Sequence, residues 1–220
     1  MSNAVLIALA AAIPLVVLML TSFVKVSVVL ALLRNAIGAP DAPSGLVVMG
    51  VSLVLTVFVM MPVAIDMARA ANGTAPTPAG EPSEIAKAVR DLVPPPYHPQ
   101  LDAAERAFEP LRAWLGKHAS ARDRDSFTGI AQRAGRTVKG DELWVLAPAF
   151  LASELREAFA IAVLLFVPFL VLDLVVGLGL AALGLQSTSP QVVALPLKLL
   201  LFVSVDGWRL LLESLLRGYA

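Results

Sequence analysis

Near the C-terminus, "LPLKLLLFVSVDGWRLLLESLLRG" (Leu195 to Gly218) sets Lys198, Asp206, Arg209, Glu213 and Arg217 in an otherwise apolar run. Such groups can hold a proton, pair with an opposite charge or bind an ion, and an apolar setting makes an unanswered charge costly. Read as one continuous helix at about 100° per residue, the five fall within an arc of about 100°. The helix then has one polar stripe and a broad aliphatic back. Arg209 and Glu213 stand i, i+4, as do Glu213 and Arg217, so these three can neutralise one another or reach water from the helix end. Lys198 and Asp206 lie deeper. A central charge in a membrane costs on the order of 2.5–3.5 kcal/mol and faces a bundle interior or a watery cavity.

Asp173, in the preceding apolar stretch, poses the same problem. It lies 14 residues before Ser187, and Lys198 lies 11 after. In a hairpin turning near Ser187 the two sit at nearly the same depth, given a rise of about 1.5 Å per residue. The spacing predicts an Asp173–Lys198 pair across the hairpin; the alternative is that each meets a different neighbouring subunit.

Other chemistry is poorly supported. There are no cysteines, which excludes disulfides, thiolate metal sites and a cysteine nucleophile. His98 and His118 stand 20 residues apart, without the i, i+4 spacing of a zinc-binding helix. "LGK" at Leu115 to Lys117 lacks the upstream glycine of a phosphate loop. Asp206-Gly207-Trp208 reads as packing, the glycine letting another helix approach with Trp208 beside it. No enzyme activity, metal or cofactor is expected.

The elements that must position these charges are long and greasy. Of 220 residues, 58% are hydrophobic and the mean hydropathy is +0.79, above a soluble domain. The net charge of zero argues against a nucleic-acid binder, which needs a basic surface. Four apolar stretches, Ala4 to Val24 (continuing to Leu33), Leu46 to Ile65, Phe159 to Leu183 and Val192 to Leu216, have the roughly 20 residues a spanning helix needs. "RNAIGAPDAPSG" and "GLQSTSPQ" separate them into two helical hairpins, with Ser189 as an N-cap before Pro190. Each stretch holds a proline: Pro14, Pro62, Pro168 and Pro196. Proline kinks a helix and frees a carbonyl, which in lipid must be satisfied by neighbours or water. Gly177, Ala181 and Gly184 would permit close helix approach.

Between the hairpins lies a polar region. Helices are predicted over Ser83 to Val93 and Leu101 to His118, broken by "PPPYHP"; Leu101, Ala104, Phe108, Leu111 and Leu115 form an apolar stripe in the second. The organisation expected is an N-terminal hairpin (1–71), a polar helical domain (72–142) and a C-terminal hairpin (143–220), all-α throughout. The first 24 residues contain no Lys or Arg, so a retained helix is favoured over a cleaved signal. Arg34 in the first turn places the hairpin turns inside and the middle domain outside.

"APAFLASELREAF" and "LPLKLLLFVSVDGW" resemble the two signature stretches of the FliP/YscR family, the export-gate subunit of type III secretion called SctR in injectisomes. Pro148, Phe150, Glu154, Phe159, Gly207 and Trp208 are the matching motif positions. "LTSFVKVSVVLALLRNAIGAP", "VFVMMPV", "FVPFLVLDLVV" and the middle "FEPLRAWLGKHASARDRDSFTGIAQRAG" are similar to the same family. The resemblance implies a pentamer that joins S-type and T-type subunits in a helical channel for unfolded secreted proteins. That channel belongs to the bacterial inner membrane and sits largely on its periplasmic side. On this reading Asp173, Lys198, Asp206, Arg209 and Glu213 make contacts within the hairpin or between subunits. The signal-free start favours the injectisome branch. Many relatives carry methionines between the third and fourth stretches as a compliant pore gasket; the matching positions here are Leu185, Gln186, Ser187 and Thr188. The competing reading is a small secondary transporter or proton channel built on broken helices and midplane carboxylates.

Overall fold

The computed structural model describes residues 16–39, 43–74, 90 and 94–219, and these are helical with no strand among them. The helices are α1 (Phe23–Ile37), α2 (Gly45–Ala71), α3 (His98–His118), α4 (Ala121–Arg133), α5 (Leu143–Ala182), α6 (Pro190–Ser204) and α7 (Gly207–Arg217). A 3₁₀ turn at Pro95–Tyr97 precedes α3. The helix predicted over Ser83 to Val93 lies outside the described residues apart from Arg90, as do Pro14 and most of the first apolar stretch.

The chain forms two compact units, one of residues 1–59 and 154–220, the other of residues 60–153. The core of the first is aliphatic and aromatic: Val26, Val29, Leu30 and Leu33 of α1 against Ala158 and Phe169 of α5, Phe202 of α6, and Leu211 and Leu215 of α7. α1 ends in the way its sequence dictates, with Gly38 left-handed at φ 87° and its N–H on the Asn35 carbonyl. In the second unit Leu111 and Leu115 of α3 are buried, as are Val145, Leu146, Ala149 and Phe150 of α5. Trp114 packs on Phe150 with ring centroids 4.9 Å apart. Ser120 caps α4 by accepting the Asp123 N–H at 3.2 Å, and the Asp123 carboxylate in turn accepts from the Ser153 hydroxyl at 2.6 Å.

Several expectations change. Among the described residues two helices, α2 and α5, are long and apolar enough to cross a membrane, where four stretches of the sequence had the length. The fourth stretch breaks at Asp206, whose left-handed backbone (φ 52°) ends one helix and starts the next. A Cβ on Gly207 would lie 2.4 Å from the Phe202 ring and 2.8 Å from the Phe202 carbonyl oxygen. Glycine is thus needed for the backbone to lie close against Phe202 at the break, rather than for an approaching second helix. The single polar stripe therefore dissolves: Lys198 is buried on α6, whereas Arg209 and Arg217 are exposed on α7. The first stretch is likewise interrupted before Phe23.

The third stretch is longer than its apolar run. α5 is one 40-residue helix that starts at Leu143 and takes in the whole "APAFLASELREAF" motif. Ser189 is the N-cap of α6 by position, but its hydroxyl makes no capping bond and donates to Gln191 Oε1 instead. In α3 the stripe is buried only at Leu111 and Leu115; Ala104 and Phe108 are exposed. His98 and Pro99 belong to the helix rather than to the break before it. A Cβ at Gly177 or Gly184 would meet nothing within 4 Å, so no helix approaches closely there among the described residues.

Candidate functional site

Two lysines are buried in the first unit, and each is answered from a distant part of the chain. Lys198 Nζ lies 2.7 Å from Asp173 Oδ2 and donates to the Ala36 carbonyl at 3.2 Å. One ammonium thereby joins α6, α5 and the last turn of α1. The Asp173 side chain keeps 39% of its surface exposed, so only the cationic end is enclosed.

Lys25, on the first turn of α1, is more deeply placed at 1% exposure. Its Nζ lies 3.2 Å from Glu154 Oε1 and 2.7 Å from Glu157 Oε2, both on α5. The ammonium also lies 4.1 Å from the centroid of the Tyr219 ring, within cation–π range. The Tyr219 hydroxyl donates to Glu154 Oε2. Burial first, then the neighbouring Glu154 carboxylate, pushes the Tyr219 phenol well above its ordinary value, so it stays protonated and remains a donor. Glu154 is 1% exposed and thus accepts from both an ammonium and a phenol. Gly218 leaves room for this: a Cβ there would stand 3.0 Å from Lys25 Nζ. Spacing had not singled out Lys25 or Tyr219. The signal for Lys25 was present, since it is the only charge in the first 33 residues; its partner lies 132 positions away for Glu157, beyond any local rule.

On α7, Arg209 pairs with Glu213 at 2.9 Å, and Arg217 lies 3.6 Å from the other Glu213 oxygen. The hydrogen bond from Arg209 holds the Glu213 carboxyl below its ordinary value. Asp206 is exposed at the break. Sequence reasoning placed Asp206 and Lys198 on one face; the structure separates them.

Leu185, Gln186, Ser187 and Thr188 form the turn between α5 and α6. Gly184 is left-handed (φ 74°). Its N–H bonds to the Ala181 carbonyl and that of Leu185 to the Leu180 carbonyl, the paired closure of a Schellman cap. The Leu185 carbonyl accepts the Thr188 N–H at 3.0 Å, which makes a compact turn presenting Leu185, Gln186 and Ser187 outward. On either side, Leu178, Leu183 and Val192 are also exposed. Among the described residues no group of acidic, histidine or cysteine side chains could hold a metal ion.

The sequence matches the FliP family over residues 6–215. The chain belongs to the FliP family. It is 40% identical over 211 residues to "Pathogenicity-related ORF2" of Xanthomonas campestris pv. glycines, covering 94% of this chain and 90% of that protein. It is 39% identical over 214 residues to "Hypersensitivity response secretion protein HrcR" of Ralstonia nicotianae, covering 95% and 92%. It is also 39% identical over 213 residues to "Flagellar biosynthetic protein FliP" of Pectobacterium carotovorum, covering 94% and 73%.

The motif positions carried by the FliP-family resemblance do different physical work. Glu154 is the acceptor for Lys25 and Tyr219. Gly207 admits Phe202, and Trp208 meets Phe202 edge-on with centroids 5.4 Å apart. Phe150 is fully buried against Trp114, whereas Pro148 is half-buried in α5 and Phe159 is exposed.

Proposed function

We propose that this chain is a core subunit of a type III protein-export apparatus, of the injectisome branch, acting as part of a conduit for unfolded proteins and not as an enzyme. Membership of the FliP family over nearly the whole chain carries this reading, together with a relative named for hypersensitivity response secretion. The chain sits at the bacterial inner membrane, where α2 and α5 have the length and composition to span, and joins further copies of itself and S-type and T-type subunits. A pentamer is the arrangement expected from the family.

The charge distribution supports a conduit subunit. The buried ammonium groups of Lys25 and Lys198 are neutralised inside the chain, and the outward surfaces of α2, α5 and α6 are aliphatic. Such surfaces are stable only under lipid or neighbouring protein. Asp173, the carboxylate that a proton channel would use, is tied to Lys198. In the conduit the turn Leu185–Thr188 forms the constriction, with Leu185 supplying the apolar seal that methionines supply elsewhere.

The test is cross-linking in a secreting cell. A photoreactive residue replacing Gln186 should capture a substrate stalled in export. One replacing Leu46, exposed on α2, should capture lipid or a sister subunit. Substrate captured equally at both positions, or at neither, would sink the constriction. Native mass measurement of the chain co-purified with its genetic neighbours should give a ring-sized complex; a lone monomer would favour a transporter.

A further inference from the structure

In the first unit Lys25, Lys198, Arg209 and Arg217 each have a carboxylate within 3.6 Å. Arg34, in the last turn of α1, forms no ion pair among the described residues. Its Nε is buried without a hydrogen-bond partner. Its guanidinium reaches toward the start of α2, where a Cβ on Gly45 would lie 3.9 Å from Arg34 Nη1. Arg34 is the one charged group in an apolar groove that Leu33, Ile37, Val47, Val51 and Trp208 also line. The carboxylates show the converse. Glu154, Glu157, Asp173 and Glu213 each lie within 3.2 Å of a cation. Asp206, exposed at the break between α6 and α7, forms no ion pair among the described residues. It stands near enough to Arg209 to act on it electrostatically, but Arg209 is already held by Glu213 at 2.9 Å.

We infer that Arg34 of one copy of this chain pairs with Asp206 of a second copy, whose α6–α7 break seats on the groove. Three observations select that occupant. A cation set in apolar surroundings needs an acceptor, and the chain itself carries an unpaired carboxylate to supply one. Both charges are set in exposed apolar surface: Leu46, Val47 and Val51 follow at the start of α2, and Val203, Val205 and Leu210 flank Asp206. Bringing two copies together therefore covers aliphatic side chains while it dehydrates the pair, which is the anatomy of an interface centre. Identical copies each present both groups, so one pairing repeats at every contact of a closed assembly. Asp41, which follows α1 in the sequence, is the rival acceptor within the chain. This inference rests on the self-association proposed above and names the contact that directs it.

The test uses two differently labelled pools of the full chain in mild detergent, with dissociation constants read from fluorescence energy transfer between them. The wild type should self-associate. Arg34→Glu and Asp206→Arg should each weaken association with their own kind by about 30-fold, the low end for breaking a charge pair dehydrated at an interface. Mixing the two variants should restore association to within about five-fold of wild type, because every contact between unlike copies again sets opposite charges together. Asp41→Asn should leave the constant unchanged. A monomeric wild type would overturn both this contact and the self-association proposed above. An associating wild type with unaffected single variants, the result for a groove filled by lipid or by a different subunit, would overturn the contact alone. So would a mixture no tighter than either variant by itself, or a loss in Asp41→Asn that matches that of Arg34→Glu. Should a reversal fail to fold by circular dichroism, Arg34→Gln and Asp206→Asn take its place. Combined in one chain they should weaken association no more than either alone, and additive losses would overturn the pairing.

Discussion

Replacing Lys25 by methionine should be among the most damaging single changes this chain can suffer. Methionine keeps an unbranched apolar stem but deletes the ammonium. Glu154 is then left at 1% exposure with only the Tyr219 hydroxyl for a partner. Breaking a buried pair by removing one member costs about 3–5 kcal/mol. The second carboxylate adds little to this: the Glu157 side chain is 53% exposed, and a partner so open to water is worth roughly 0–1 kcal/mol. The expected loss of about 3–5 kcal/mol corresponds to roughly two to three and a half orders of magnitude in the folding equilibrium. The double change Lys25→Met with Glu154→Leu removes both charges, which replaces the buried pair by apolar groups at little or no cost. It leaves the Tyr219 hydroxyl without its acceptor, about 1–3 kcal/mol. The double variant should therefore be more stable than the single one by about 2 kcal/mol. The assay is equilibrium unfolding of the full chain in mixed micelles under rising denaturing detergent, followed by circular dichroism. A Lys25→Met protein within about 1 kcal/mol of wild type, or a double variant less stable than the single, would refute the reasoning, since either outcome means Glu154 is not paying for isolation.

Three other outcomes follow from the same geometry. At the second lysine, Asp173→Leu with Lys198→Met should unfold later than Lys198→Met alone in the same titration. The charge reversal Asp173→Lys with Lys198→Asp should rescue the single variants in part, since it restores the ion pair but sets an aspartate against the Ala36 carbonyl oxygen that Lys198 now donates to; a reversal that rescues neither would sink the pairing. Gly207→Ala should cost about 1–3 kcal/mol by overpacking, since one of its clashes is with backbone, while Gly177→Ala, with open space around it, should be neutral or slightly stabilising; equal effects would remove the case for the turn over Phe202. Glu142 accepts the N–H groups of Lys139 and Gly140, each at 2.9 Å. Partial burial opposes its charge, but these donors outweigh it and hold its carboxyl below 4.5. A depressed folded-state value means that its stabilisation is present above the unfolded value and is lost as pH falls through the folded one. Thermal unfolding of Glu142→Gln should thus depend less on pH below about 4.5 than that of wild type; parallel pH profiles would show that the carboxylate contributes nothing there.

The first unit neutralises buried cations within one chain, which changes the role of charge in the proposed assembly. Lys25 and Lys198 do not need a sister subunit to be tolerated. They fix how α1, α5, α6 and the C-terminal Tyr219 meet, and so set the shape that neighbouring subunits encounter. The surface left for those neighbours is largely aliphatic, with α7 supplying an exposed charged edge through Arg209, Glu213 and Arg217.

Composition and periodicity alone determined that the chain is all-α, apolar enough for a membrane and divided by a polar middle, because these follow from local hydropathy and from turn residues such as Gly38 and Pro190. The Asp173–Lys198 spacing was legible for the same reason: a short turn conserves depth between two helices. Tertiary structure decided what local rules cannot reach. The apolar pattern runs to Val205 with Lys198 its one charge, yet α6 ends at Ser204 and the backbone turns left-handed at Asp206, where only a glycine at 207 fits against Phe202. Lys25 found its acceptors far along the chain, where no periodicity points. A buried charge is satisfied by whichever partner the packed fold brings within about 3 Å, and that distance is a property of the fold, not of the order of residues.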